Sequence, residues 1–172
     1  VLMSEKTWME TWLGNSVDLL NPDPKQIDIE DIARHLSIIN RFTGAIRFPY
    51  SVAQHSLYVS MLLPESDQIH GLLHDAHEAY IGDISTPLKH SSDRQWLNIL
   101  CRNLDGAIYE ALDLELPTDE QCRRIKRADM QAMADEKAFL KPHSKSDWAE
   151  YGIPAPAGII NVAMDWQEAE VA

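Results

Sequence analysis

Apolar residues recur at helical spacing along most of the chain. Ile29, Ile32, Ala33 and Leu36 share one face of a segment that follows the breaker Asn21-Pro22-Asp23-Pro24, and Asp28 is placed to cap it. A helix is expected from there to about Ile39. Ser51-x-x-Gln54, Ser92-x-x-Gln95 and Thr118-x-x-Gln121 have the capping-box form, in which a hydroxyl and an amide side chain satisfy the unpaired amides of a first turn. They open helices expected over 52–62, 93–112 and 119–140. Another is expected over 65–80, with Pro64 near its first turn and Gly82 just past its end. Trp96, Leu97, Leu100, Leu104 and Ile108 make a helical stripe suited to a core or a dimer contact.

Alternation of the strand type is short and confined to residues 8–20. There Gly14-Asn15 suits a two-residue turn between Trp12-Leu13 and Val17-Leu19, although Trp8 and Trp12 at i,i+4 would equally begin a helix. Beyond Pro142, Gly152, Pro154, Pro156 and Gly158 break any period, so an irregular wrap is expected, with a short helix after Ile160. The fold class is therefore all-α, a bundle of at least five helices with a small N-terminal β-hairpin. One domain over 1–172 is expected: an extension at 1–27, a helical core at 28–140 and a wrap at 141–172.

Composition narrows the partners. Over 172 residues, 15 Lys+Arg stand against 27 Asp+Glu, a net charge of −12 spread over both halves. Such a surface repels phosphate backbones and anionic lipid, so neither nucleic acid nor a membrane is an expected partner. The longest mostly apolar stretch, Ala155 to Met164, is about half a membrane span. Cys101 and Cys122 would lie about 12 Å apart along neighbouring helices, too far for a disulfide. Reduced thiols and no signal-peptide pattern at Val1–Ser4 point to the cytoplasm.

The chemistry concentrates in Gly71-Leu72-Leu73-His74-Asp75-Ala76-His77-Glu78. On a regular helix, at roughly 100° per residue, Glu78 falls between His74 and Asp75 one turn on, and Gly71 lies in the same wedge, where it would leave room for an ion. His70 and His77 fall on another face, where helix packing or solvent is the expected role. An imidazole–carboxylate ion site takes four to six ligands. His55, early in one expected helix, and Asp129, amid Ala128, Met130 and Ala132 in another, are the candidates to complete it. Helices that converge polar residues on one point are how bundles build metal centres.

His55, His74-Asp75 and Asp129 together resemble the defining residues of the HD-domain metal-dependent phosphohydrolases. The block His74-Asp75-Ala76-x-Glu78-x-x-x-Gly82-Asp83-x-x-Thr86-Pro87-x-Lys89, preceded by Ile39-Asn40-Arg41 and Gln54-His55-Ser56, is similar to the bacterial HD-type 5′-nucleotidase branch. The resemblance spans about residues 34–135. It implies an HD-domain bundle, a homodimer, one divalent ion (Mn, Co, Fe, Ni or Zn) and a small-molecule nucleotide or phosphoester as substrate. By it, His55, His74, Asp75 and Asp129 bind the ion, Glu78 orients or deprotonates the attacking water, Arg41 grips the 5′-phosphate and Asp83 belongs to the active site. Phe42, Thr86 and Lys89 are the further substrate contacts expected. Phe42 stands where the family's nucleotidases carry Trp, so no preference for ribose or deoxyribose is implied.

Other functions compete with this one. Triphosphate or other phosphoester hydrolysis would use the same site, and a nucleotide sensor would bind without turnover, with no need of Glu78. Dinuclear and di-iron members of the wider group use extra histidines before the final Asp, and only His77 and His90 occur there. Arg123, Arg124, Lys126 and Arg127 read as a solvated helix face, with Lys126 alone on the side of Asp129.

Overall fold

The computed structural model describes residues 7–89, 95–158 and 163–172. It is mostly helical, with one small antiparallel hairpin of β1 (Trp8–Glu10) and β2 (Ser16–Asp18), in which Met9 faces Val17. Residues 11–15 form the connection, so Trp12 and Leu13 lie in the turn and not in a strand. Two observations explain the difference. Gly14 takes a left-handed φ of +85°, and buried Asp31 accepts from the Leu13 amide (2.8 Å) and the Asn15 side chain (3.3 Å).

Asp31 belongs to α1 (Ile29–Ile38), which Asp28 caps by accepting from Glu30 N–H at 2.8 Å. Ile32 and Leu36 enter the core as expected, whereas Ile29 is exposed, because the hairpin turn docks on Asp31 instead. Helix α2 (Val52–Met61) starts where Ser51 Oγ accepts from the Gln54 amide, while the Gln54 side chain accepts from Met164 N–H at 3.0 Å and ties down the C-terminal segment.

The helix expected over 65–80 is interrupted. A 3-10 turn at Glu65–Asp67 leads into α3 (Gln68–Leu73), and α4 (Glu78–Ile81) follows only after a tight turn. Between them the backbone bonds run i to i−3: Ala76 to Leu73, Glu78 to Asp75, Ala79 to Ala76 and Tyr80 to His77. Three residues per turn, in place of 3.6, bring Glu78 over Asp75. Gly82, at φ +79°, closes the segment.

Next come α5 (Thr86–Lys89), α6 (Gln95–Ala111) and α7 (Asp119–Leu140). The Ser92 cap lies outside the described residues. The Thr118–Gln121 box has both of its halves. In α6, Leu97, Leu104 and Ile108 are buried, while Trp96 is exposed.

Most of the core gathers Val17, Ile32, Leu36, Val52, Leu73, Leu104 and Ile108, and a second cluster joins Tyr58, Val59 and Leu63 to Ile125, Ala128 and Ala132. The short helix expected late in the chain is α8 (Trp166–Val171), opened by an Asp165–Glu168 capping box. It sends Ala169 into the main core beside α1. Arg34 of α1 pairs with Glu170 at 3.3 Å and lies against the rings of Trp12 and Trp166. Among the described residues, no helix is long and apolar enough to cross a membrane. Cys101 and Cys122 are both free thiols.

Candidate metal centre

Helix α2 supplies His55, the turn after α3 supplies His74 and Asp75, and the middle of α7 supplies Asp129. The ligand atoms of His55, His74 and Asp129 all lie within 4.8 Å of one another. Asp75 Oδ2 stands 3.2 Å from His74 Nε2 and 3.7 Å from His55 Nε2, and Asp129 Oδ1 stands 3.4 Å from His55 Nε2. Each ring is anchored at its other nitrogen, His74 Nδ1 on the Gly71 carbonyl (2.7 Å) and His55 Nδ1 on Glu136 (2.6 Å). Both Nε2 atoms are buried without a hydrogen-bond partner. His55, His74 and Asp129, with Asp75 beside the two rings, offer the ligand types a divalent ion takes, and these buried groups could hold one.

Gly71 contributes differently from the expectation. A Cβ there would meet Leu63 Cδ1 at 2.5 Å and the Ser60 Cα at 3.1 Å. The missing side chain lets α3 approach α2, which sets the spacing of His74 from His55, and it does not make space for an ion.

Electrostatics bind the cluster together. Burial opposes ionisation of Asp75 and Asp129, yet the neighbouring histidines hold both carboxyls well below the usual range. For His55, burial and Arg41 disfavour charge, but Glu136 and Asp129 prevail and push it up to about 9.

Arg41 reaches the same centre from a strained turn. Phe42 (φ +55°) and Thr43 (φ +51°) are both left-handed, a conformation costly for residues with a Cβ. Asp83 steadies the turn by accepting from Phe42 N–H at 3.1 Å, and Arg41 N–H donates to the Tyr50 carbonyl at 2.9 Å. The Arg41 guanidinium donates from Nε (3.1 Å) to Glu136 Oε2, with Nη2 3.0 Å away, leaving Nη1 3.9 Å from Asp75. Phe42 packs against Trp148, the ring centroids 6.2 Å apart.

Buried Glu78 accepts from Lys89 Nζ at 2.6 Å through Oε1, whereas its Oε2 has no partner. Burial and the nearby Asp75 charge push its carboxyl up to about 7, against the pull of Lys89. Thr86 is exposed at the start of α5. His77 forms with Asp75 and Glu78 a second group of suitable ligand types, but its Nδ1 lies 2.9 Å from Asp105 of α6, the helix-packing role expected of it. His70 stacks on Tyr109, and His90 is outside the described residues.

A cleft of 340 Å³ opens from His74, Asp75 and Asp129 toward Tyr109 and Pro117, with Lys126 on its wall. Lys126 Nζ donates to Asp129 Oδ2 at 2.8 Å. The basic run is less uniformly solvated than expected, because Arg124 bonds the buried Asp67.

Glu136 is the residue that sequence reasoning missed. A signal was available: it lies two turns after Asp129 and midway between Ala132 and Leu140, which are core positions, so a charge there calls for partners.

No family model matches the chain. It is 30% identical over 171 residues to the uncharacterized protein RCAP_rcc00048 of Rhodobacter capsulatus, a match covering 93% of this chain and 87% of that protein. Over 140 residues it is 37% identical to the uncharacterized protein YfdR of Escherichia coli, covering 80% of this chain and 74% of the other. The chain thus belongs to the family that includes RCAP_rcc00048 and YfdR.

Proposed function

We propose that this chain is an HD-domain, metal-dependent phosphohydrolase that releases phosphate from nucleoside 5′-monophosphates. The observation that carries the proposal is the meeting of His55, His74 and Asp129, with Asp75 Oδ2 3.2 Å from His74 Nε2, around two buried imidazole nitrogens that make no hydrogen bond. A divalent ion (Mn, Co, Fe, Ni or Zn) held by His55, His74, Asp75 and Asp129 would supply Lewis acidity there. Arg41, ionised and held by Glu136, presents Nη1 to the substrate phosphate. Glu78 is suited to accept the proton of the attacking water, since its acidity near neutrality is that of an efficient general base. The water oxygen attacks phosphorus as the P–O5′ bond breaks, Glu78 takes the water proton, and the nucleoside O5′ takes up a proton from solvent on leaving. Homodimeric assembly and a cytoplasmic location accompany this proposal.

Hydrolysis of nucleoside triphosphates is the second reading, favoured by the cleft that continues past Asp129 to Lys126. A release assay over nucleoside mono-, di- and triphosphates with each of the five metals separates the two. Orthophosphate from monophosphates is the expected result. Triphosphate or pyrophosphate products would establish the second reading, and binding without product would make the chain a sensor.

A further inference from the structure

We infer that Glu136 is a positioning residue that fixes the metal-facing nitrogen of His55 and the phosphate-facing edge of Arg41 at once. The inference rests on the metal site proposed above. Glu136 is fully buried, as is His55, and Arg41 is nearly so. Its two oxygens divide the work. Oε1 accepts from His55 Nδ1–H at 2.6 Å, and Oε2 accepts from Arg41 Nε at 3.1 Å, with Nη2 3.0 Å away.

Each bond has a chemical consequence. With Nδ1–H held by the carboxylate, Nε2, the nitrogen that faces Asp75 and Asp129, is the one that would exchange its proton for an ion, and a carboxylate behind an imidazole makes it a stronger ligand. Occupying the Nε and Nη2 edge of Arg41 fixes the guanidinium plane and leaves Nη1 toward the centre. A neutral amide cannot serve both partners. With Gln at position 136, one terminal atom accepts and the other donates. If the oxygen stays with Arg41, the NH2 group faces His55 Nδ1, moves the ring proton to Nε2 and blocks the ligand lone pair. If the amide turns round, Arg41 meets a donor.

The test uses the full chain with zinc alone. Long-range 1H–15N NMR of the zinc-loaded wild type should show His55 protonated at Nδ1 and bound through Nε2. Competition with a chromophoric chelator should show zinc affinity falling about 10- to 100-fold in Glu136→Gln, the usual effect of removing such a partner. Adding Arg41→Met to Glu136→Gln frees the amide oxygen for His55 and should restore most of that affinity. A residue that merely fills the core would leave the double variant no better than the single one. Zinc bound through Nδ1, unchanged affinity in Glu136→Gln, or no recovery in the double variant would each overturn the inference while leaving the metal site intact. A wild type that binds no zinc would overturn both. The NMR result decides by itself if the variants do not fold.

Discussion

Glu136 and Asp67 are both buried carboxylates that join α7 to the α2–α3 half of the bundle, yet their surroundings differ in kind. Asp67 is closed. Arg124 bonds it, Gln121 Nε2 and Ser66 Oγ each donate to Oδ1 at 3.2 Å, and nothing among these partners is left buried and unpaired. Around Glu136 the contacts lead instead through His55 and Arg41 to Asp75 and the Nε2 atoms of His55 and His74, which make no hydrogen bond, as Glu78 Oε2 makes none. A buried charge with all its partners supplied by the protein is an architectural clamp. One whose network ends in buried nitrogens without a hydrogen bond could hold an ion there, which a clamp with all its bonds made could not.

Replacing one carboxylate in each region tests this contrast most severely. Asp129→Ala should abolish metal retention and hydrolysis together, measured by elemental analysis and phosphate release, whereas Asp67→Ala should keep the metal and lower the thermal midpoint. Full metal occupancy in Asp129→Ala would show that the fourth ligand lies elsewhere. Glu78→Ala should retain metal and substrate and lower kcat by about 10²- to 10⁴-fold, the scale of a lost general base. An unchanged kcat would remove Glu78 from proton transfer.

A smaller effect is expected at Gly71, where Gly71→Ala forces a methyl against Leu63 and the Ser60 backbone. Overpacking of this kind costs about 1–3 kcal/mol. Chemical denaturation should register that loss, and metal affinity should fall with it as His74 shifts from His55. The smallest effect concerns pH. Arg124 holds the Asp67 carboxyl down at about 2, against an ordinary 3.8. Its stabilising contribution is therefore complete above 3.8 and disappears as pH falls through about 2. The difference in melting temperature between wild type and Asp67→Asn should be constant from neutrality down to about pH 4 and close below it; a gap that persists at pH 2 would mean that charge plays no part.

Much of this arrangement was legible in the sequence because capping and periodicity are local. Asp28, Ser51 and Thr118 mark the starts of α1, α2 and α7 within a residue. Three of the ligand candidates, His74, Asp75 and Asp129, were also legible, since a His-Asp pair and an Asp in an apolar helix both demand partners. What could not be read depended on tertiary fit. A uniform 3.6-residue helix misplaces Glu78, because the tightened turn over 74–78 answers to the packing of Ala76 and Ala79 in the core. Gly71 owes its presence to Leu63 and Ser60, which no helical wheel of its own segment contains. The core position of Glu136 could be noticed, but its partners His55 and Arg41 lie 81 and 95 residues away, so no local pattern names them.

The docking of α8 on α1 has a consequence for the order of events during folding. Arg34 and Glu170 are 136 residues apart, and Ala169 occupies the same core as Ile32 and Leu36. Until residues 165–171 dock, the flank of α1 that receives Ala169 is without that cover. Closing so long a loop is a late, slow step. A chain in which this loop is still open carries an uncovered apolar flank on α1, the kind of surface through which partly folded chains associate.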